Sequence, residues 1–222
     1  MAILRLAQPG LDKSTQQAVR QEYQTYMDQA ARYTRQRRRA LIIKHGHSGS
    51  GKSWYAARLV EQLGAIWIRS DIERKRLFGY SPDADSGSGV RSGIYTATAS
   101  ERTYEVLARL ARHALDAGYP VVIDATFLMR QQRDRFRQLA ASVGVPFLVL
   151  ACTAPQDILR QRILMRQTEA SDPSEAGTAV LEAQLQSQEP LADDEQGDIL
   201  SPVPEDVESI GALADRVAGR MQ

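Results

Sequence analysis

The sequence predicts an α/β fold built on a parallel sheet, and three observations carry that prediction. Short apolar runs of strand length alternate with longer helix-competent stretches. Apolar strands separated by helices make a parallel sheet covered on both faces. The first run, Leu41-Ile42-Ile43, passes straight into a glycine-rich loop and then into a helix-competent run from Trp54 to Leu63. Two later runs end in polar clusters that contain an aspartate, Ile68-Arg69-Ser70-Asp71 and Val121-Val122-Ile123-Asp124-Ala125-Thr126. In a parallel sheet ligands sit beyond the carboxyl ends of the strands, where such residues gather.

The expected strands are Leu41–His45, Ala65–Arg69, Tyr119–Asp124, Pro146–Cys152 and a weaker Asp198–Val203. The expected helices are Lys52–Leu63, Ile72–Phe78, Ala97–Ala117, Gln131–Val143, Pro155–Gln167, Glu175–Gln188 and Val207–Met221. Tyr80 to Gly93 is rich in Ser, Gly and Asp and reads as a mobile loop, with a second mobile zone at Thr168 to Ser174. Residues 11 to 39 read as a polar helical stretch without an apolar face of its own, ending in the basic run Arg32 to Arg39. Its arginines read as a solvated basic segment, with nucleic acid or another acidic partner as the alternative. One domain over residues 40–222 with an extension over residues 1–39 is therefore expected.

With 222 residues, 43% of them hydrophobic, the chain buries one core of substantial size. No apolar run reaches the roughly 18 residues of a membrane span, and Met1 to Gly10 does not read as a signal peptide. The single Cys152 closes an apolar run and reads as a core residue in a reducing cytoplasm. A net charge of +1 conceals an asymmetry: up to Arg166 there are 26 basic and 14 acidic residues, and beyond it 2 basic and 13 acidic. The basic body suits a polyanionic ligand, and the acidic end reads as a solvated face, with a regulatory role as the alternative.

Residues 46 to 53 read Gly46-His47-Ser48-Gly49-Ser50-Gly51-Lys52-Ser53, a complete G-x-x-x-x-G-K-[ST] pattern between strand and helix. The glycines let the backbone wrap a polyphosphate with its N–H groups inward, and the next helix offers its positive N-terminus to the same anion. Lys52 then reaches the β- and γ-phosphates and the Ser53 hydroxyl ligates Mg²⁺. Asp124, an aspartate after an apolar run, is the expected second Mg²⁺ contact. No N-K-x-D guanine selector occurs, so ATP is expected. Ala125 follows Asp124 where hydrolases commonly carry a glutamate, which favours phosphoryl transfer over hydrolysis.

Transfer needs a base for the acceptor hydroxyl, and Asp71 is the candidate; helix capping is its alternative role. Arg162 and Arg166, four apart on one helix face, read either as a lid pair that neutralises the transferring phosphates or as exposed arginines of a surface helix. Arg130, Arg133 and Arg137 follow the third strand and read as an acceptor site or a solvated face. His45 and His47 read as incidental.

The stretches HGHSGSGKS, IRSDIERKRLFG, VVIDATFLMRQQRDRF and RILMR…SDPSEA, spread over residues 41 to about 190, together resemble the small P-loop kinases that include polynucleotide kinases and zeta-type toxins. More narrowly, the chain resembles the ATP-binding kinase domain found behind aminoglycoside-phosphotransferase-like domains. That resemblance implies a P-loop NTPase fold with a five-stranded sheet in the order 2-3-1-4-5 and a helical lid after the fourth strand, at about residues 155–190. It implies Asp71 and Arg74 as base and acceptor-side ligand, and Asp124 to Thr126 as the metal-side strand end. It also implies a phosphotransferase-like partner domain, residues 20 to 40 resembling the linker that would follow one. Trp54 and Pro173 depart from the family pattern. The function expected is ATP-dependent phosphorylation of a hydroxyl on a small molecule or a nucleic-acid end; a regulatory ATPase module is the alternative.

Overall fold

The structure, a computed structural model, describes residues 12–34, 38–89, 92–169, 177–201 and 207–221. Its contacts divide the chain into two units, Met1–Arg37 and Arg38–Gln222. The described part of the first unit is one helix, α1 (Lys13–Thr34). Asp12 starts it by accepting the Ser14 and Thr15 N–H groups at 2.9 and 3.0 Å. Tyr26 and Met27 on this helix are exposed. Residues 35–37 of the basic run lie outside the described residues, as do the side chains of Arg32 to Thr34.

The second unit runs β1 (Leu41–His45), α2 (Lys52–Leu63), β2 (Ile66–Arg69), α3 (Ser70–Leu77), a 3₁₀ turn at Gly93–Tyr95, α4 (Ala97–Asp116) and β3 (Val121–Asp124). It continues through α5 (Arg130–Val143), β4 (Phe147–Ala151), α6 (Gln156–Glu169), α7 (Thr178–Ser187), a 3₁₀ turn at Asp193–Asp198, β5 (Ile199–Leu200) and α8 (Val207–Ala218). The strands form one sheet in the order β2-β3-β1-β4-β5 with every neighbouring pair parallel, the fold and order expected. Two elements differ from expectation. Helix α3 begins at Ser70, which puts Asp71 inside its first turn rather than at its cap. Strand β5 is only two residues long, and residues 202–206 lie outside the described residues.

Period-two alternation explains the layers. Leu41, Ile43, Val121, Ile123, Phe147 and Val149 turn to one face, where they meet Leu107, Leu115 and Phe136 of α4 and α5. Ile42, Val122, Leu148 and Leu150 turn to the other, against Tyr55 and Leu59 of α2 and Leu213 and Val217 of α8. Each buried side chain of this size contributes roughly 1.5–3 kcal/mol relative to exposure. A third, small cluster joins α6 and α7 through Leu159, Ile163 and Leu181.

Arg38 and Arg39, at the end of the basic run, are not merely solvated. Arg38 Nη1 donates to the Ala218 carbonyl at 3.3 Å and Arg39 Nη1 to the Leu115 carbonyl at 3.2 Å. Each cation thus adds a hydrogen bond to a carbonyl at a helix C-terminus, where the helix dipole favours positive charge. Among the described residues no helix is long and apolar enough to cross a membrane.

Candidate active site

The loop between β1 and α2 owes its shape to backbone contacts that only glycine permits. Gly46, Gly49 and Gly51 have φ of 145°, 83° and 83°. A Cβ on Gly46 would collide with the Cys152 carbonyl oxygen, and one on Gly49 would lie 2.7 Å from that of Leu159. Gly46 N–H is held by the Thr126 carbonyl at 3.1 Å, and Cys152 N–H by the His45 carbonyl at 2.8 Å. The loop is therefore wedged between the ends of β3 and β4. Lys52 Nζ donates to the His47 carbonyl, folding the ammonium over the loop. His47 Nε2 and Ser50 Oγ are buried and lack a hydrogen-bond partner among the described residues. Buried polar groups rarely stay unpaired, so the loop has capacity reserved for a ligand.

Asp124 ends β3 beside this loop. It pairs in register with Arg69 of β2, and the β1–β3 register, carried on by one residue from Ile43 and Ile123, brings it level with Lys44. Lys44 is fully buried, and its ammonium pairs with Asp124 Oδ1. Burial pushes the Asp124 carboxyl upward, but Lys44, then Lys52 and the Ser53 hydroxyl outweigh it and hold the group below the ordinary carboxylate range. Its second oxygen, Oδ2, is buried without a hydrogen-bond partner among the described residues. An ionised, unsatisfied carboxylate oxygen near a serine hydroxyl suits a hard divalent cation completed by phosphate oxygens and water. The residues present thus fit Mg²⁺.

Asp71 lies two residues beyond β2. Its Oδ2 accepts from Arg69 Nη2 at 2.9 Å, and its Oδ1 from the Ile72 N–H at 2.9 Å. Arg74, expected as its acceptor-side companion, is buried; its Nη1 donates to the Ile94 carbonyl at 2.8 Å and to Ser100 Oγ at 3.3 Å. The guanidinium also lies over the Tyr95 ring, 5.0 Å from its centroid. Thr126 is half-buried, its carbonyl on Gly46 and its side chain bonded to Tyr104. The next residue, Phe127, has φ of 46°, an unusual conformation for a bulky side chain. Its ring is held edge-on by Tyr104 and Phe136. That turn aims the Thr126 carbonyl at the loop and the Phe127 carbonyl at His45 Nδ1, 3.0 Å away.

Helices α6 and α7 cover the loop's other side. Arg162 Nη1 donates to the Gly49 carbonyl at 3.4 Å. The Arg166 side chain and residues 170–176 lie outside the described residues. Arg160 and Glu182 pair at 2.8 Å across the two helices.

Residues 41–191, more than half of the chain, match the AAA_33 family, described as an AAA domain. The chain belongs to this family. An uncharacterized protein of Mycobacterium tuberculosis is 31% identical to the AAA_33 chain over 143 residues, 64% of this chain and 29% of that protein. The chain thus spans less than a third of the length of that relative. Chaetomium thermophilum Kti12 in complex with ADP-AlF3 superposes with a TM-score of 0.63 at 15% identity, covering 82% of this chain and 99% of Kti12. A gluconokinase from Sinorhizobium meliloti 1021 gives 0.56 at 19%, covering 83% and 96%. The Mycobacterium tuberculosis APS kinase CysC in complex with AMPPNP and APS gives 0.57 at 20%, covering 82% and 96%. These likenesses show the fold.

Three arginines that read as an acceptor site or a solvated face are instead paired with acids of the same chain. The Arg133 side chain is 1% exposed. Its Nε and Nη2 grip Glu195 at 2.7 and 3.0 Å, and the carbonyls of Phe127, Leu128, Glu189 and Pro190 take its remaining hydrogens. Arg130 chelates Asp134 and Asp194, and Arg137 pairs with Asp198 at 2.7 Å. The physical reason is the charge asymmetry itself: the acidic segment after α7 folds back onto the basic start of α5. That segment does not simply solvate a face. Other site residues carried no local signal. Lys44 sits in an apolar strand, His45 read as incidental, and Gln184 of α7 accepts the Ser48 N–H at 2.9 Å.

Proposed function

We propose that this AAA_33 chain is an ATP-dependent phosphotransferase that moves the γ-phosphoryl group to a hydroxyl acceptor. The observation that supports it best is the pairing of two kinds of carboxylate at adjacent strand ends. Asp124, with its unsatisfied oxygen near Ser53, suits the nucleotide's metal. Asp71, two residues beyond β2, stands on the acceptor side. A pure phosphate-binding loop needs only the first.

In this reading the loop amides and Lys52 bind the phosphate chain, and Lys52 and Arg162 balance charge that builds during transfer. Ser53 and Asp124 would hold Mg²⁺, which when bound would supply neutralisation of the phosphate charge. Arg69 holds one oxygen of Asp71 and the Ile72 N–H the other, and the second lone pair of a carboxylate oxygen takes the acceptor proton. Arg74 fixes the 3₁₀ turn at Gly93–Tyr95 and so shapes the acceptor side through the chain rather than by touching it first. The acceptor class is a small-molecule hydroxyl or a nucleic-acid 5′ end.

Asp71→Asn tests the reading. It keeps the shape and the Ile72 contact but removes the base. Transfer of labelled γ-phosphate to a panel of sugars, nucleosides and 5′-hydroxyl oligonucleotides should fall by roughly 10²- to 10⁴-fold. ATP affinity should persist. Hydrolysis to ADP with no acceptor-dependent product in the unaltered protein would overturn transfer in favour of a nucleotide switch acting on a partner.

A further inference from the structure

The phosphate loop already carries a contact that resembles its ligand. Ser48 is the third residue of the loop, and its N–H donates at 2.9 Å to Gln184 Oε1 from α7. The amides of Gly46 and Ser50 are satisfied within the β3 end and the loop itself, by the Thr126 and His47 carbonyls. Ser48 is different, because its acceptor is a side-chain oxygen from a helix 136 residues further along the chain.

That oxygen is firmly placed. Leu181, three residues before Gln184, packs into Leu159 and Ile163 of α6. Glu182 is paired with Arg160. Gln188, one turn after Gln184, has its Nε2 3.2 Å from His45 Nε2, and His45 immediately precedes the loop. Glu189 N–H then donates to the Leu128 carbonyl at 3.0 Å. Gln184 on α7 and Gln188, the residue that caps its end, both contact the β1-to-loop segment.

We infer that Gln184 is an internal competitor for phosphate: its carbonyl oxygen occupies the Ser48 amide that a phosphate oxygen takes when nucleotide loads. An amide N–H well aligned with one acceptor at 2.9 Å has no equivalent hydrogen to offer a second. Loading therefore exchanges one acceptor for another at Ser48, and the strength of the Gln184 cap sets nucleotide affinity. The exchange also releases α7 from one of its two anchors on the loop. This inference rests on the nucleotide-binding reading above.

Calorimetric titration with MgADP and with inorganic pyrophosphate separates the possibilities, with melting curves run on every variant. Gln184→Leu removes the cap without adding charge, and both probes should bind about three- to tenfold more tightly, the scale of one neutral hydrogen bond. Gln184→Glu keeps an acceptor for Ser48 but strengthens it and repels the anion, so both probes should bind at least about tenfold more weakly. Gln184→Asn, too short to reach the loop, should behave as leucine does and serves if the leucine variant does not fold. Opposite signs for leucine and glutamate support the cap. A wild-type protein that binds both probes, with variants that leave affinity unchanged or move it in one direction, overturns the cap alone. A wild-type protein that binds neither probe overturns the nucleotide-binding reading and the cap together.

Discussion

The phosphate loop and the arginine row that opens α5 both follow the carboxyl end of a central strand, yet they treat their polar groups in opposite ways. At the loop, His47 Nε2, Ser50 Oγ and Asp124 Oδ2 are buried without partners among the described residues. At the row, Arg133 is buried and makes six hydrogen bonds, Arg130 chelates Asp194, and Arg137 is ion-paired with Asp198 although its buried Nη2 makes no hydrogen bond among the described residues. Desolvating a polar group is costly unless it is paired. Unpaired groups that persist mark where a ligand completes the structure; fully paired ones mark a strut. By that criterion the loop reads as a site and Arg133, with every hydrogen committed, as the centre of a clasp.

The sharpest way to break the comparison is Arg133→Met. It leaves Glu195 charged and buried, and removing one partner of such a pair costs about 3–5 kcal/mol. Denaturant unfolding should show that loss, while the folded fraction keeps wild-type affinity for MgADP. A loss of affinity without a loss of stability would move Arg133 back into the site. Lys52→Ala should do the reverse. Phosphoryl transfer should drop by roughly 10²- to 10³-fold through lost charge stabilisation, with the melting temperature little changed. Unaltered turnover in that variant would remove the loop from the chemistry.

Two glycines sharpen the same contrast at smaller scale. Gly144, at the end of α5, has φ of 71° and open space where a Cβ would stand, so Gly144→Ala should cost about 1–2 kcal/mol and leave nucleotide binding intact. Gly46→Ala runs into the Cys152 carbonyl and must displace loop or strand, so it should lose MgADP binding as well as stability.

The smallest effect is a pH dependence. Burial holds the His45 imidazole below its ordinary value of 6.5, partly opposed by the Phe127 carbonyl, and burial with Lys52 lowers His47 as well. The unfolded chain therefore takes up these protons first. Stability should be fully present above about pH 6.5 and decline as the pH falls below it toward the depressed folded values. Denaturation midpoints measured from about pH 7.5 to 5 should show the decline, and the double substitution His45→Gln and His47→Gln should flatten it.

The sequence by itself determined the parallel sheet, its strand sequence, the phosphate loop and Asp124. These are written in local patterns, because apolar periodicity, a glycine at a forbidden φ and an aspartate after a strand each depend on neighbours along the chain. Tertiary structure alone decided which arginines lie against the loop and which are committed to acids. Arg130 and Arg133 look like Arg162 in sequence, each a cation on a helix near a strand end. What separates them is where the acidic segment after α7 lands, a contact spanning 62 residues from Arg133 to Glu195 that no local pattern encodes. The same holds for Lys44, whose charge is explained only by the strand register that sets it level with Asp124. It holds too for Gln184, which reaches Ser48 only because α7 packs on α6. Local chemistry writes the loop; long-range pairing chooses its companions, because a charge or an amide gains its role from the partner it meets.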